Sequence, residues 1–317
     1  MIKPELTSIA KTVLEHEYKS NEPEDTLTPI QGGEWSAAYR FSYCGQEYVI
    51  RLSHTPDNFY RDKAASQWSS PSLPIPQIIR IDCCKDQYFA ISPFFPGVAL
   101  ESLPFAELEQ AIPGLLSMLS ALQSVDLSTI EGFGTLTPEG KGAFHCWTDA
   151  LLDVNNDRPD SLTHGWRAAL TEFPEWQCKF ERFYEELTKL VRYCPEHKHL
   201  IHSDLLYQNL LVDNRNISAV LDWGCAMVGD PLYDYAMFAF FEPWFPAFTQ
   251  VGLVQKLERM YLLKSPGNCE NFRQRVLACQ IHVTLGNIAY CALIKRHKDL
   301  QDHINRLDDV LRETSRY

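Results

Sequence analysis

The stretch that most constrains this chain runs Ile201-His202-Ser203-Asp204-Leu205-Leu206-Tyr207-Gln208-Asn209-Leu210-Leu211-Val212, followed by Val220-Leu221-Asp222-Trp223-Gly224. Two short apolar runs flank Asp213-Asn214-Arg215-Asn216, a turn composition, so the segment predicts a β-hairpin. Asn209 opens its first arm and Asp222 closes its second. A hairpin brings the ends of its arms together, so an amide oxygen and a carboxylate meet at one end with Asp204 nearby. Oxygen donors of this kind suit Mg²⁺, which keeps several waters and bridges phosphate oxygens. A carboxylate outside the metal shell can accept the proton of an attacking hydroxyl. Asn209 and Asp222 are the candidate metal ligands, and Asp204 is the candidate catalytic base.

The rest of the chain sorts into a strand-rich first part and a helical second part. Leu6, Ile9, Ala10, Val13 and Leu14 recur at helical spacing and predict an opening helix. Residues 38–43 and 47–52 read as strands joined through Cys44-Gly45-Gln46, and 58–69 as a helix. The proline-rich stretch 71–76 must be extended, and 78–82 and 87–92 read as two more strands. After Pro93 the pattern turns helical, over 105–124, over 175–193 and from Pro231 onward. The expected architecture is α+β, with a small strand-rich lobe over 1–94 and a larger, mainly helical lobe over 95–317.

The charge balance, 29 Lys and Arg against 41 Asp and Glu, leaves −12. That field repels nucleic-acid phosphates and anionic membranes, and attracts a cationic small molecule. None of the ten cysteines forms a C-x-x-C pair, and most sit among apolar neighbours as free thiols do. The first residues lack an apolar signal region, and no apolar run reaches the ~18 residues of a membrane span. A cytoplasmic protein with reduced thiols is expected, and the sequence holds no signal of an oligomeric state.

The H-x-D-x-x-x-x-N pattern, with a metal-binding Asp after a hairpin, matches the catalytic loop and metal site of the protein-kinase fold. Gly229-Asp230-Pro231 follows at a short interval. Supporting stretches are Lys3-Pro4-Glu5-Leu6, Phe59-Tyr60-Arg61-Asp62, Leu73-Pro74-Ile75-Pro76, Gly132-Phe133-Gly134, Cys194-Pro195-Glu196 and Pro243-Trp244. On these residues the chain resembles the aminoglycoside phosphotransferase family from its N-terminus to about residue 245.

The resemblance implies a bilobal protein-kinase-like fold with a small antiparallel-sheet N-lobe. It implies ATP, or GTP, with Mg²⁺, and transfer of the γ-phosphoryl group to a hydroxyl of a small cationic acceptor, an aminoglycoside. Asp204 would act as base, and Asn209 and Asp222 would hold Mg²⁺. Arg51 stands where protein kinases carry a strand lysine, and still places positive charge on nucleotide phosphates. Asp62 on the following helix, in preference to Glu47, would orient it. Gly32-Gly33-Glu34-Trp35-Ser36 lies where a nucleotide-covering loop belongs, with Ser36 as a phosphate contact. Ser92-Pro93-Phe94-Phe95 lies at the lobe junction, where backbone groups would meet the adenine edge; Phe94 and Phe95 are candidate cofactor contacts, with plain core residues the alternative.

His202 and Asp230-Pro231 read as structural, the latter as a helix cap followed by proline. Ser203 replaces the arginine that answers to a phosphorylated activation loop in protein kinases, so constitutive activity is expected. For the acceptor, Glu242 and Asp149 could meet ammonium groups, and Trp244 and Trp147 could face sugar rings. Two alternatives stand beside this reading. One is a metabolic kinase acting on choline, homoserine or a sugar; the other is a non-catalytic nucleotide-binding module. The joint presence of Asp204, Asn209 and Asp222 argues against the second.

Overall fold

The computed structural model describes residues 4–18, 26–30, 36–159, 161, 163–206, 208–264 and 270–314. The chain separates into two compact units, and the division differs from one at 94/95. Unit 1 takes Met1–Ala121, Leu136–Lys141 and Asp204–Ala226; unit 2 takes Leu122–Thr135, Gly142–Ser203 and Met227–Tyr317. The hairpin that carries Asn209 and Asp222 therefore belongs with the N-terminal sheet. The reason lies in its pairing, described next.

In unit 1 the strands β1 (Thr28–Ile30), β2 (Ala37–Tyr43), β3 (Gln46–Ser53), β4 (Arg80–Cys84) and β5 (Gln87–Pro93) form an antiparallel sheet in the order β1-β2-β3-β5-β4. Helix Pro4–Tyr18 buries Ile9, Ala10, Val13 and Leu14 in a cluster with Tyr39, Phe41, Ile50, Leu52, Phe89 and Ile91. The β2–β3 turn is tighter than its sequence suggests. Cys44 and Gly45, at φ 51° and 73°, make a two-residue turn of positive φ that matches the twist of the arms, and Gln46 already belongs to β3.

A second sheet holds β6 (Val98–Ala99), β10 (Leu210–Asp213) and β11 (Asn216–Val220) in the order β11-β10-β6. Asn214 and Arg215, at φ 47° and 69°, turn the hairpin, and Leu210 pairs with Val220. β6 follows directly on the end of β5 and pairs with β10, and Val220 N–H donates to Pro74 O at 2.8 Å. These bonds fasten the hairpin to unit 1.

Unit 2 contains a four-stranded sheet ordered β8-β7-β12-β9, from β7 (Phe133–Leu136), β8 (Gly142–Phe144), β9 (His199–Ile201) and β12 (Met227–Gly229). These strands were not foreseen, because three or four residues are too few for alternation to register. Helices Pro174–Leu190, Leu232–Phe241, Phe272–Leu293 and His297–Thr314 supply most of its core. Among the described residues, Phe272–Leu293 is the one helix long and apolar enough to cross a membrane, and 67% of its apolar window is buried inside the protein.

That helix also carries Arg275, which is buried against Asp230. Its Nε donates to Oδ2 at 2.8 Å and its Nη2 to Oδ1 at 2.7 Å, while Leu232 N–H donates to Oδ1 at 3.0 Å. Asp230 thus caps helix Leu232–Phe241, as the sequence suggests, and is also half of a buried ion pair that the sequence does not reveal. Removing one partner strands the other charge. Arg275→Met is expected to cost about 3–5 kcal/mol, read as a lowered urea midpoint.

Candidate active site

Five of the expected cofactor residues and both expected metal ligands line one cavity of about 550 Å³ within unit 1: Ser36, Arg51, Asp62, Phe94, Phe95, Asn209 and Asp222. Its apolar wall includes Ile30, Ala38, Val49, Ile78, Leu211 and Val220. Residues 32–35 of the stretch Gly32-Gly33-Glu34-Trp35-Ser36 lie outside the described residues; Ser36, its last member, is half-buried at the cavity.

Arg51, on β3, meets Asp62, on helix Asp57–Ala65, through Nη2 and Oδ2. The guanidinium also lies 5.1 Å from the centre of the Phe59 ring. The other Asp62 oxygen, Oδ1, accepts the N–H of Trp223 at 2.7 Å. Asp62 is 4% exposed, so its charge is tolerable only because both oxygens are engaged. Burial pushes its carboxyl up against the opposing pull of the Arg51 guanidinium. Burial likewise works against the Arg51 charge, but Asp62 and Asp222 outweigh it and hold the guanidinium up. Glu47, the other candidate partner, pairs with Arg40 instead.

At the hairpin's open end, Leu221 N–H donates to Asn209 O at 2.8 Å, extending the ladder by one bond. Asn209 Nδ2 donates to Asp204 O at 2.7 Å and to Asp204 Oδ2 at 3.0 Å. The amide nitrogen is thereby committed, and Oδ1 is the end left to act as an acceptor. Asp222 is exposed and held in the left-handed region, φ 57° and ψ 73°. The donor set is oxygen only, an amide and a carboxylate, which fits Mg²⁺.

Phe94 and Phe95 are both half-buried at the cavity. The backbone reading of the junction changes at one atom. Phe94 N–H donates to Glu47 O at 2.9 Å, as a continuation of the β3–β5 ladder, so it is already engaged. The Phe94 ring sits beneath the Arg40 guanidinium at 4.2 Å.

Sequence reasoning missed two carboxylates. Glu101, in the turn after β6, accepts the N–H of Gln208 through Oε1, while its Oε2 is buried without a partner among the described residues. Gln208 takes the left-handed φ of 79° just before Asn209, and Glu101 holds it there. In unit 2, Asp234 accepts Ser203 N–H at 2.8 Å and His202 N–H at 3.1 Å, fixing the two residues before Asp204. A sequence signal existed for Asp234, an acid in the first turn of the helix after Gly229-Asp230-Pro231; for Glu101 there was none.

The four candidate acceptor residues lie in unit 2. Trp147 is fully buried, and a Cβ at Gly229 would fall 2.4 Å from its ring. This corrects its assignment: it is a core residue. Asp149, two residues on, is exposed. Glu242 and Trp244 share one short turn after helix Leu232–Phe241. Trp244 is 38% exposed, and Glu242 Oε1 is buried with no partner among the described residues. Burial pushes the Glu242 carboxyl up, opposed by Arg306.

A nucleotide-sized cavity with a strand arginine, a paired helix carboxylate, and an Asp–Asn–Asp constellation on a loop and hairpin defines a phosphotransferase of the kinase-like type. The chain matches the APH Phosphotransferase enzyme family over residues 26–264, and it belongs to that family. It is 32% identical over 254 residues to the hygromycin-B 4-O-kinase of Escherichia coli, covering 79% of this chain and 72% of that protein. The crystal structure of aminoglycoside phosphotransferase APH(4)-Ia superposes with a TM-score of 0.83 at 27% identity, covering 96% of this chain and 98% of that one. A ternary complex of a thermostable APH(4)-Ia mutant with AMP-PNP and hygromycin B gives 0.81 at 28% identity, with 95% and 97% covered. The α+β kinase-like class expected from the sequence is the class observed.

Burial raises the Asp234 carboxyl from 3.8 to about 6, against the opposing His202 and Ser203 N–H groups. Its folded form keeps a proton to higher pH than its unfolded form. It therefore makes folding less favourable as pH rises from about 4 to about 6, by roughly 3 kcal/mol in all. Asp234→Asn removes that dependence. The stability gap between wild type and variant is expected to narrow through this window in urea unfolding; a constant gap would contradict the assignment.

Proposed function

We propose that the protein transfers the γ-phosphoryl group of ATP, or GTP, to a hydroxyl of a cationic aminoglycoside, with hygromycin B the acceptor its relatives suggest. The observation that carries the reading is the Asp204–Asn209 contact at the open end of a hairpin whose other arm leads to Asp222. The Arg51–Asp62 pair lines the same cavity as Asn209 and Asp222. A pure binding module has no use for that combination.

In this mechanism the chain positions and neutralises. Arg51, braced by Asp62, faces the nucleotide phosphates, and Ser36 adds a polar contact at the cavity edge. Phe94, Phe95 and the apolar wall hold the base. Asn209 Oδ1 and the Asp222 carboxylate would hold Mg²⁺. Bound there with nucleotide, the ion neutralises charge on the phosphate oxygens. Asp204 accepts the acceptor's hydroxyl proton, its carboxylate oriented by the Asn209 amide. Glu242 and Trp244, with Asp149, meet the acceptor's ammonium groups and rings. The net charge of −12 favours a polycation over an anionic substrate, and the reaction takes place in the cytoplasm.

The test is ADP release by the purified protein with Mg-ATP. Hygromycin B, kanamycin and streptomycin are compared with choline, homoserine and simple sugars. Aminoglycoside-dependent turnover is expected. Turnover only with a metabolite would keep the phosphoryl transfer and discard the acceptor. Asp204→Ala is expected to lower turnover by about 10²–10⁴-fold while nucleotide affinity is retained. Unchanged turnover in that variant would sink the assignment.

A further inference from the structure

The motif Phe59-Tyr60-Arg61-Asp62 holds more than the partner of Arg51. Arg61, next to Asp62 on helix Asp57–Ala65, directs its guanidinium at three oxygens. Nε donates to Leu136 O at 2.8 Å; Nη1 donates to Asn58 Oδ1 at 3.1 Å and to Gly224 O at 3.3 Å. Asp62 holds Trp223 N–H. Two consecutive helix residues thus grip the two residues immediately after Asp222, Trp223 through its N–H and Gly224 through its C=O. Leu136 N–H donates to Ala226 O at 2.7 Å, so Leu136 ties Arg61 to the far end of the same segment.

The contact is close by necessity. A Cβ at position 224 would lie 2.8 Å from Asn58 Cγ and 2.9 Å from its Nδ2. Any side chain at 224 would have to push the Asn58 amide aside. Asp222 itself occupies the left-handed region, a costly conformation for a non-glycine residue unless its surroundings impose it. The grip on residues 223, 224 and 226 is such an imposition.

We infer that Arg61, through its bonds to Gly224 O and Leu136 O, is a positioning latch that holds the Asp222 carboxylate in its metal-binding attitude. The latch acts through the backbone and touches neither nucleotide nor metal. A charged, multidentate donor suits the task, because one guanidinium can engage two main-chain carbonyls and an amide at once, whereas a lysine offers a point charge. The inference rests on the reading of Asp222 as a metal ligand, and the test separates the two.

The experiment titrates ADP by calorimetry into wild type, Arg61→Met, Gly224→Ala, Asn58→Ala/Gly224→Ala and Asp222→Ala, each with and without saturating Mg²⁺. Arg61→Met and Gly224→Ala are expected to weaken Mg-dependent ADP binding about tenfold while metal-free affinity moves less than about twofold. The apparent KM for Mg²⁺ in turnover should rise in parallel. In Asn58→Ala/Gly224→Ala the clash is gone, and most of the Gly224→Ala loss should return. A merely structural role would lower both affinities together, or neither. If Arg61→Met does not fold, Gly224→Ala and its rescue carry the test, since they leave the guanidinium in place. Should Asp222→Ala abolish the metal effect while Arg61→Met and Gly224→Ala preserve it, the latch is overturned and the metal assignment stands. Should Asp222→Ala leave the metal effect intact, both fall.

Discussion

The Asp62 carboxylate is the constraint on which the nucleotide site depends. It is a buried charge, and a buried charge must be matched on both oxygens or be neutralised. One oxygen is matched by Arg51 and the other by the Trp223 amide. β3, helix Asp57–Ala65 and the segment leading from the hairpin are therefore bound at a single group. None of these three can shift without exposing an unpaired charge to an apolar interior. The same pairing aims Arg51 into the cavity and fixes the residue after Asp222. The arginine's bulk and planar fork make a shorter carboxylate partner sensible, since the helix already stands close enough for an aspartate to reach.

Unit 2 uses the same device twice. Asp230 is neutralised by Arg275 and by a helix N-terminus, and Asp234 is matched by two successive backbone N–H groups. Each ties a loop to the start of helix Leu232–Phe241. Asp234 has no cation within ion-pair distance among the described residues, and burial raises its carboxyl, whereas Asp230 has a guanidinium directly on it. One short stretch thus matches one buried carboxylate with a guanidinium and the other with backbone N–H groups alone. Backbone N–H groups suffice to orient the residues before Asp204, with no need for the arginine that protein kinases place beside their catalytic aspartate.

What was legible in the sequence was whatever left a periodic or spaced trace. The first hairpin, the opening helix, the β10–β11 hairpin and the Asp204–Asn209–Asp222 spacing all did so, and each lies where its pattern predicts. Asp62 as the partner of Arg51 was legible because a helix follows β3 directly. The strands β6, β7, β8, β9 and β12 were not, because two to four residues carry no period. Arg275 and Glu101 were invisible for another reason: their partners are distant in sequence, and a single charged residue in a helix reads as surface. Trp147 was misread in the opposite sense. A tryptophan beside an acid looks like a sugar platform, but the small residue at Gly229 makes room for it inside the core. The two-unit division also escaped, since it follows the pairing of β6 with β10 and not the change of texture after Pro93.

The shortness of the segment after Asp222 ties these features to regulation. Only residues 223–226 separate Asp222 from β12, and they are held by Asp62, by Arg61 and by Leu136. Protein kinases place a long, phosphorylatable loop at this point, and use it to move a helix and an aspartate between two arrangements. A segment of four residues with three of its peptide groups engaged is short and firmly held. Ser203, standing where such a loop would be answered by an arginine, agrees with this. In a phosphotransferase built this way, discrimination must come from the acceptor side and not from switching the nucleotide site. The net charge of −12 is a feature on which such discrimination can act, since it favours a cation over an anion.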